Sequence, residues 1–235
     1  MFSPLVLSQW VPDDVREVPA GEVVVSVDPS LPASRSVSLL RREDGSAVLS
    51  VTPERARELD LIGAERVDEA ALSARIERTG IAFNDPDHLF YLTLGDQAAL
   101  RGESFGVETR QLTAADAASF EDFTREAPED DIDEAFVELD HWLVFGTFIG
   151  GTLVSAASMY PWSGTHLADL GVITLPAFRG RGLGRVTVRA MSAEALRRGY
   201  EPQYRCQLDN AASVALAQAA GFTRFGEWEV IDADE

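Results

Sequence analysis

The sequence predicts a mixed α/β fold built in two parts, residues 1–104 and 105–235. Three observations lead there. Apolar residues make up 46% of the 235, enough to fill a packed core. Runs with strand and helix periodicity alternate along the chain. Gly, Pro, Thr and Asp stand between them, where turns and helix caps need them.

In residues 1–104, Val23–Val25 is a short strand. Ser36–Leu40 and Ala47–Val51 flank Glu43-Asp44-Gly45, a hairpin signal because Asp-Gly accepts the positive φ of a tight turn. Thr52-Pro53-Glu54 opens a helix, with Thr as cap, Pro in the first turn and Glu beyond it. Asp68–Arg78 has helical spacing and stops at Gly80. Asp85-Pro86-Asp87-His88 reads as a turn and Leu89–Leu92 as a strand; a single His makes no metal site. This half carries no catalytic motif.

Residues 105–235 read β-α-α-β-β-β-α-β-α-β. Phe105–Leu112 is a strand, Thr113 caps a helix to about Phe123, and Asp131–Leu139 is a second helix. Strands follow at Trp142–Ile149, Thr152–Ser158 and Leu167–Thr174, the first two joined at Gly150-Gly151. Leu183–Arg198 is a helix stopping at Gly199, Gln203–Leu208 a strand, Asn210–Ala220 a helix ending at Gly221, and Phe225–Val230 the last strand. The boundary near 104 rests on Gly102, Gly106 and the change of pattern.

Charge excludes some function classes. The net charge of −19 argues against a nucleic-acid binder, because phosphate contacts need clustered cations. No Lys occurs, which excludes a Lys nucleophile or Schiff base. No apolar run reaches the ~18–20 residues that cross a bilayer, and Met1-Phe2-Ser3-Pro4 does not open like a signal peptide. With Cys206 as the single cysteine, a cytoplasmic location is expected. A homodimer is compatible with the sequence, which does not fix oligomeric state. Acids crowd residues 116–140 (eleven, against Arg125 alone), and arginines crowd 179–205 (seven, against Glu194 and Glu201). The second region suits an anion and the first a cation, although a solvated helix pair explains the acids as well.

The most informative segment runs from Val172 to Arg185. A strand ends at Thr174, Pro176 removes a ladder donor, and Gly180, Gly182 and Gly184 follow at alternate positions before a helix begins. Free N–H groups and the positive end of the dipole at such a helix start favour phosphate. Glycine lets the backbone approach it, and Arg179, Arg181 and Arg185 add charge-assisted donors. A P-loop is excluded for want of Lys, and Gly-x-Gly-x-x-Gly fails in both registers, at Arg185 and at Thr187.

Arg179-Gly180-Arg181-Gly182-Leu183-Gly184 does fit Arg/Gln-x-x-Gly-x-Gly/Ala, and here the chain resembles the GNAT superfamily of N-acetyltransferases. Pro176, Phe178 and Arg179-Gly180 match the family's Val-x-Pro-x-Tyr/Phe-Arg-Gly pattern, with Thr174 in place of the apolar residue; Asn210 and Gly221-Phe222 match its Asn-helix-Gly-Phe segment. The resemblance covers about 105–235. It implies a mixed, mostly antiparallel central sheet flanked by helices, with 1–104 as an additional smaller α/β domain. It implies acetyl-CoA as acyl donor and no metal. Pantetheine would lie along Val172, Ile173 and Thr174, where that strand splays from 203–208. The pyrophosphate would sit on the N–H groups from Gly180 through Arg181, Gly182, Leu183 and Gly184 to Arg185. Asn210 would contact the cofactor arm, besides capping its helix, and Ser213 either caps that helix or touches the cofactor.

The family's frequent acid and base are missing. Ala217 stands where a Tyr acid is common, and Ala168 and Arg205 where a Glu base is common. His166 and Asp169, near the start of the strand, are the candidate substitutes; His166 shares the side-chain parity of 168 and 172, and Asp169 does not. Tyr160, Tyr200 and Tyr204 are candidates for the thiolate's proton if the fold brings one close. The leading expectation is acetyl transfer to an amine, a cationic one given the acids at 116–140, of a small molecule or peptide. The alternative is a non-catalytic acyl-CoA-binding regulatory module, and 1–104 is either a specificity element or a protein-interaction unit.

Overall fold

The computed structural model describes residues 1–12, 18–19 and 21–231. In chain order the elements are α1 (Pro4–Trp10), β1 (Glu22–Val27), β2 (Val37–Arg42), β3 (Ala47–Val51), α2 (Pro53–Glu58), β4 (Arg66–Asp68), α3 (Glu69–Thr79), β5 (Asp87–Tyr91) and α4 (Leu94–Arg101). They continue with β6 (Thr109–Gln111), α5 (Ala117–Glu126), α6 (Glu129–Ala135), β7 (Leu143–Ile149), β8 (Thr152–Pro161), β9 (Leu167–Thr174), α7 (Leu183–Arg197), β10 (Glu201–Gln207), α8 (Ala211–Ala219) and β11 (Thr223–Val230). The fold is mixed α/β, its strands mostly antiparallel and flanked by helices. No helix among the described residues is long and apolar enough to cross a membrane.

The chain divides into two compact units. One takes Met1–Leu5, Phe90–Arg205 and Asn210–Thr223; the other takes Val6–Leu89, Cys206–Asp209 and Arg224–Glu235. In the second, strands run in the order β4-β1-β3-β2-β11, with only β1 and β3 parallel. Its core is Val23, Val25, Leu39, Leu49, Leu59, Leu61, Leu72 and Ile231. The predicted caps set its helices: Thr52 Oγ1 accepts the Arg55 N–H, Asp68 Oδ1 accepts the Ala71 N–H, and Gly80 closes α3 at φ +72°. Asp87 and His88, read as a turn, begin β5 instead.

In the first unit the strand order is β10-β9-β8-β7-β6, with β10 and β9 parallel and the rest antiparallel. Strand parity assigns the two faces. Ile173 packs with Phe123, Ile132, Ala135 and Val137 of the α5–α6 region. Thr174 faces the other way, since a Cβ on Gly184 of α7 would lie 2.9 Å from its Oγ1. Residues 169, 171 and 173 therefore point to the α5–α6 face, and 170, 172 and 174 to the α7 face. The predicted strand over Phe105–Leu112 shrinks to β6; Gly106 interrupts it and Val107 is 95% exposed. The predicted helix over 131–139 starts earlier, at Glu129 after Pro128, and stops at Phe136, which takes the left-handed φ of +47°.

Thr113 and Asp116 form a capping box ahead of α5. Arg110 Nη2 donates to Asp116 Oδ1 at 2.6 Å, and the Thr113 N–H donates to Oδ2 at 2.9 Å. The Arg110 contact first, then the Thr113 donors, hold the Asp116 carboxyl down from 3.8 to about 2. A depressed carboxyl stabilises the fold above its unfolded value and loses that stabilisation as pH falls through the folded one. Asp116→Asn should therefore cost about 1 kcal/mol at pH 7, after allowance for solvent screening. Urea unfolding at pH 7 and near pH 2 checks this, and the difference between variant and wild type should close at the lower pH.

Candidate active site

Strand β9 ends at Thr174 and Pro176–Phe178 makes one 3-10 turn, from whose end the chain reaches α7 through Arg179-Gly180-Arg181-Gly182. Gly180 and Gly182 take φ of +71° and +76°, a region that glycine enters without a Cβ penalty. Gly182 is the N-cap of α7, and no side chain caps that helix. The N–H groups of Leu183, Gly184 and Arg185 thus begin α7 without a side-chain acceptor, at the positive end of a 15-residue helix. Gly184 is buried, with Thr174 and Leu216 within 3.4 Å of where its Cβ would be. This turn has the chemistry of an anion cradle.

The basic side chains are divided among other tasks. Arg179 ion-pairs with Asp131 of α6, and its Nε donates to the Thr174 carbonyl at 3.0 Å. It thereby ties α6 to the end of β9. Arg181 lies over the Phe178 ring at 5.5 Å. Arg185 is exposed. Glu103 is held below the usual carboxylate range, chiefly by a hydrogen bond from Arg189 and more weakly by the charges of Arg189 and Arg185.

Beside the turn the sheet opens. The parallel ladder between β9 and β10 ends at Leu170↔Tyr204, whereas β9 stays paired with β8 as far as Thr174↔Ser155. Gly171–Thr174 therefore have a strand partner on one side only. Val172 and Thr174 face α7, and Ile173 is buried on the opposite face. Asn210 Oδ1 accepts the Ser213 N–H at 3.0 Å, and the Ser213 hydroxyl bonds the Tyr204 hydroxyl at 2.9 Å. Both residues thus act in the cap of α8, on the α7 side.

The α5–α6 face of this opening carries a polar cluster. Asp169 is 5% exposed and receives bonds from Gln203 Nε2 at 3.0 Å, Arg205 Nη2 at 2.6 Å, Arg205 Nε at 3.1 Å and the Tyr160 hydroxyl at 3.3 Å. The Tyr91 hydroxyl in turn donates to Gln203 Oε1. Burial first, and then the Asp169 charge, push the Tyr160 hydroxyl above its usual range. Asp169 is thus an anchor with its lone pairs occupied, which is not the disposition of a base. Arg205, at a position where the family often has Glu, is its partner. His166 is exposed, stacks on Tyr200 at 4.9 Å and places Nδ1 3.3 Å from the Gly199 carbonyl. It lies five residues before Gly171, about 16 Å along the strand, so the structure does not bring His166 and Asp169 together at the opening. Ala168 and Ala217 are fully buried.

Sequence reading passes over His141 and Ser158, which belong to the same face. His141 Nδ1 is 2.8 Å from Ser158 Oγ, and the ring packs against Phe136 at 4.9 Å and Tyr160 at 5.0 Å. Seventeen residues separate His141 from Ser158; only the β7–β8 register joins them.

Residues 110–222, just under half of the chain, match the model of the acetyltransferase (GNAT) family. A comparison with curated protein sequences gave no significant match. Among solved structures, a protein described as a GNAT-family acetyltransferase from Novosphingobium aromaticivorans is similar at 19% identity, over 65% of this chain and 66% of that one, with a TM-score of 0.48. A GNAT-family acetyltransferase from Colwellia psychrerythraea is similar at 17% identity, over 64% and 57%, with a TM-score of 0.48. A ribosomal-protein-alanine N-acetyltransferase from Brucella melitensis is similar at 21% identity, over 52% and 98%, with a TM-score of 0.40. For the first two, the match spans less than two thirds of the solved chain.

Proposed function

Since residues 110–222 are an acetyltransferase domain of the GNAT family, we propose that this acyltransferase moves an acetyl group from acetyl-CoA directly to an amine of a small molecule or peptide. One observation carries the reading: the β9–β10 ladder ends four residues before β9 does, beside the start of α7, which no side chain caps. An extended pantetheine with its amide groups fits an unpaired strand edge, and a pyrophosphate fits a glycine-lined helix start. In this reading Val172–Thr174 hold the arm, the N–H groups of 180–185 hold the pyrophosphate, and Arg181 and Arg185 add charge. Asn210 and Ser213 flank the arm from α8. Arg179 acts through α6 instead.

The acceptor is a cation in this reading. The first turn of α6 carries Glu129, Asp130 and Asp131, and Arg179 neutralises only the last. The N-terminal region has a part in acceptor choice in this reading, and the protein works in the cytoplasm.

Thermal unfolding with acetyl-CoA tests the site. Ligand at a hundred times its Kd should stabilise the wild type by about 2.7 kcal/mol. Gly182→Trp should abolish that shift. The position itself is open, with nothing within 4 Å of the added Cβ, so the variant should fold at a cost of roughly 1–3 kcal/mol for its left-handed φ. Thiol release against a panel of amines then separates the enzyme from a binding module. Binding without turnover would favour the module, a reading that Ala217 and Arg205 already motivate, and no binding would overturn the cofactor assignment.

A further inference from the structure

The acceptor's ammonium must lose a proton before its nitrogen can attack, and neither of the sequence candidates is placed to take it. We propose that His141 is the base for the acceptor amine, set by Ser158 and backed by Glu138. The inference rests on the acetyl-transfer reading above and names a group for it.

Position comes from strand register. Ser158 lies opposite Gly171, the first residue of β9 beyond the ladder to β10. The two share the α5–α6 face, and Ser158 Oγ meets His141 Nδ1 at 2.8 Å. Ser158 is thus one strand spacing, about 5 Å, from Gly171 at the start of the open edge, and His141 lies beside it on the face opposite α7. Over Gly171 itself this face carries the Ala135 carbonyl at the end of α6. Donor and acceptor reach α7 and His141 from opposite faces and meet in the gap.

Ser158 Oγ accepts the Glu138 N–H at 3.3 Å and is hydrogen-bonded to His141 Nδ1 at 2.8 Å; in the tautomer with Nδ1–H as the donor, Nε2 keeps its lone pair. Glu138 Oε2 is 3.5 Å from Nε2, so a carboxylate offsets the charge that the ring takes on. Other charged and titratable groups on this side include Tyr160 of β8, beyond its hydroxyl the Asp169–Arg205 pair, and the acids of α6 with Arg179 on Asp131. Phe136 covers both the His141 and Tyr160 rings while remaining 52% exposed at a left-handed φ, and it leaves an aromatic wall for the acceptor to slide along.

The step balances. The acceptor ammonium gives one proton to Nε2. Its freed lone pair forms the C–N bond at the thioester carbonyl carbon, the C–S bond breaks, and that electron pair leaves on sulfur. The nitrogen sheds a second proton, which goes to the sulfur to give the thiol, and the ring returns the first to solvent past Glu138.

Thiol release from acetyl-CoA, with the best amine of a panel of alkyl and aryl primary amines, is measured against pH for wild type, His141→Gln and Glu138→Gln. His141→Gln should lower kcat about 100-fold near neutrality and erase the wild type's acidic limb, with the loss shrinking as pH approaches the amine's own pKa. Added imidazole should restore part of the rate. Glu138→Gln, at an exposed position, should lower kcat several-fold and keep the limb. Acetyl-CoA affinity, read by calorimetry, should stay unchanged in both. An unaltered limb in His141→Gln would overturn the proposal while leaving acetyl transfer intact. A wild type that binds acetyl-CoA but turns over no amine would overturn the acetyl-transfer reading and this proposal with it.

Discussion

Gly171→Ala should destabilise the protein by about 3 kcal/mol or more, at the upper end of what overpacking does, and should remove turnover. A Cβ at residue 171 would lie 1.7 Å from the Ala135 carbonyl oxygen and 2.9 Å from its carbon. Both are backbone atoms at the end of α6, so no rotamer change relieves the clash. Either α6 lifts, taking Ile132, Ala135 and Val137 off Ile173, or β9 leaves its register with β8. The glycine turn and α7 lie on the other face, so the pyrophosphate contacts should suffer less than the arm's. Gly184→Ala is the informative contrast. Its nearest neighbour is Thr174 Oγ1, a side-chain atom at 2.9 Å, and it should be milder. Guanidinium unfolding together with calorimetry of acetyl-CoA reads both effects. Wild-type stability in Gly171→Ala would mean that α6 does not press on β9, and the acceptor face described above would be wrong.

Local physics explains what the sequence made legible. The limits of β9 are those expected from its alternation and from Pro176. The start of α7 follows from Gly182, and that of α8 from Asn210, whose side chain caps it as a short polar side chain should. The fold class follows from such elements in order. Two helices escape the same reading. Pro4–Trp10 is too short for its period to be told from an apolar run, and Leu94–Arg101 carries Gly95 in its first turn.

The acceptor face is poorly legible because it exists only through register. Parity correctly separates Asp169 from residues 168 and 172, but it cannot say that Gln203, Arg205 and Tyr160 converge on that carboxylate. Nor does the sequence show that Arg179, a phosphate ligand by motif, is held by Asp131 from forty-eight residues away. His141 draws no attention because no motif surrounds it; its partner Ser158 is found only once β7 and β8 are laid side by side.

Asp169→Ala should lower stability by about 3 kcal/mol, the lower end for breaking a buried pair because Arg205 keeps a quarter of its surface. The loss is mainly that of the partners left behind. Arg205, Gln203 and the Tyr160 hydroxyl each lose an acceptor in a region that water reaches poorly. Removing the charge on both sides should therefore undo most of the damage, and Asp169→Ala with Arg205→Met should be more stable than Asp169→Ala alone by about 1–3 kcal/mol, a coupling usual for such contacts. Urea unfolding of the wild type, the two single variants and the double variant gives that coupling directly. The kinetic outcome decides between two roles for the same carboxylate. If Asp169 is an anchor, activity should return in the double variant together with stability. If it takes the acceptor's proton, the double variant should be stable and dead, and His141 would lose its claim to that step.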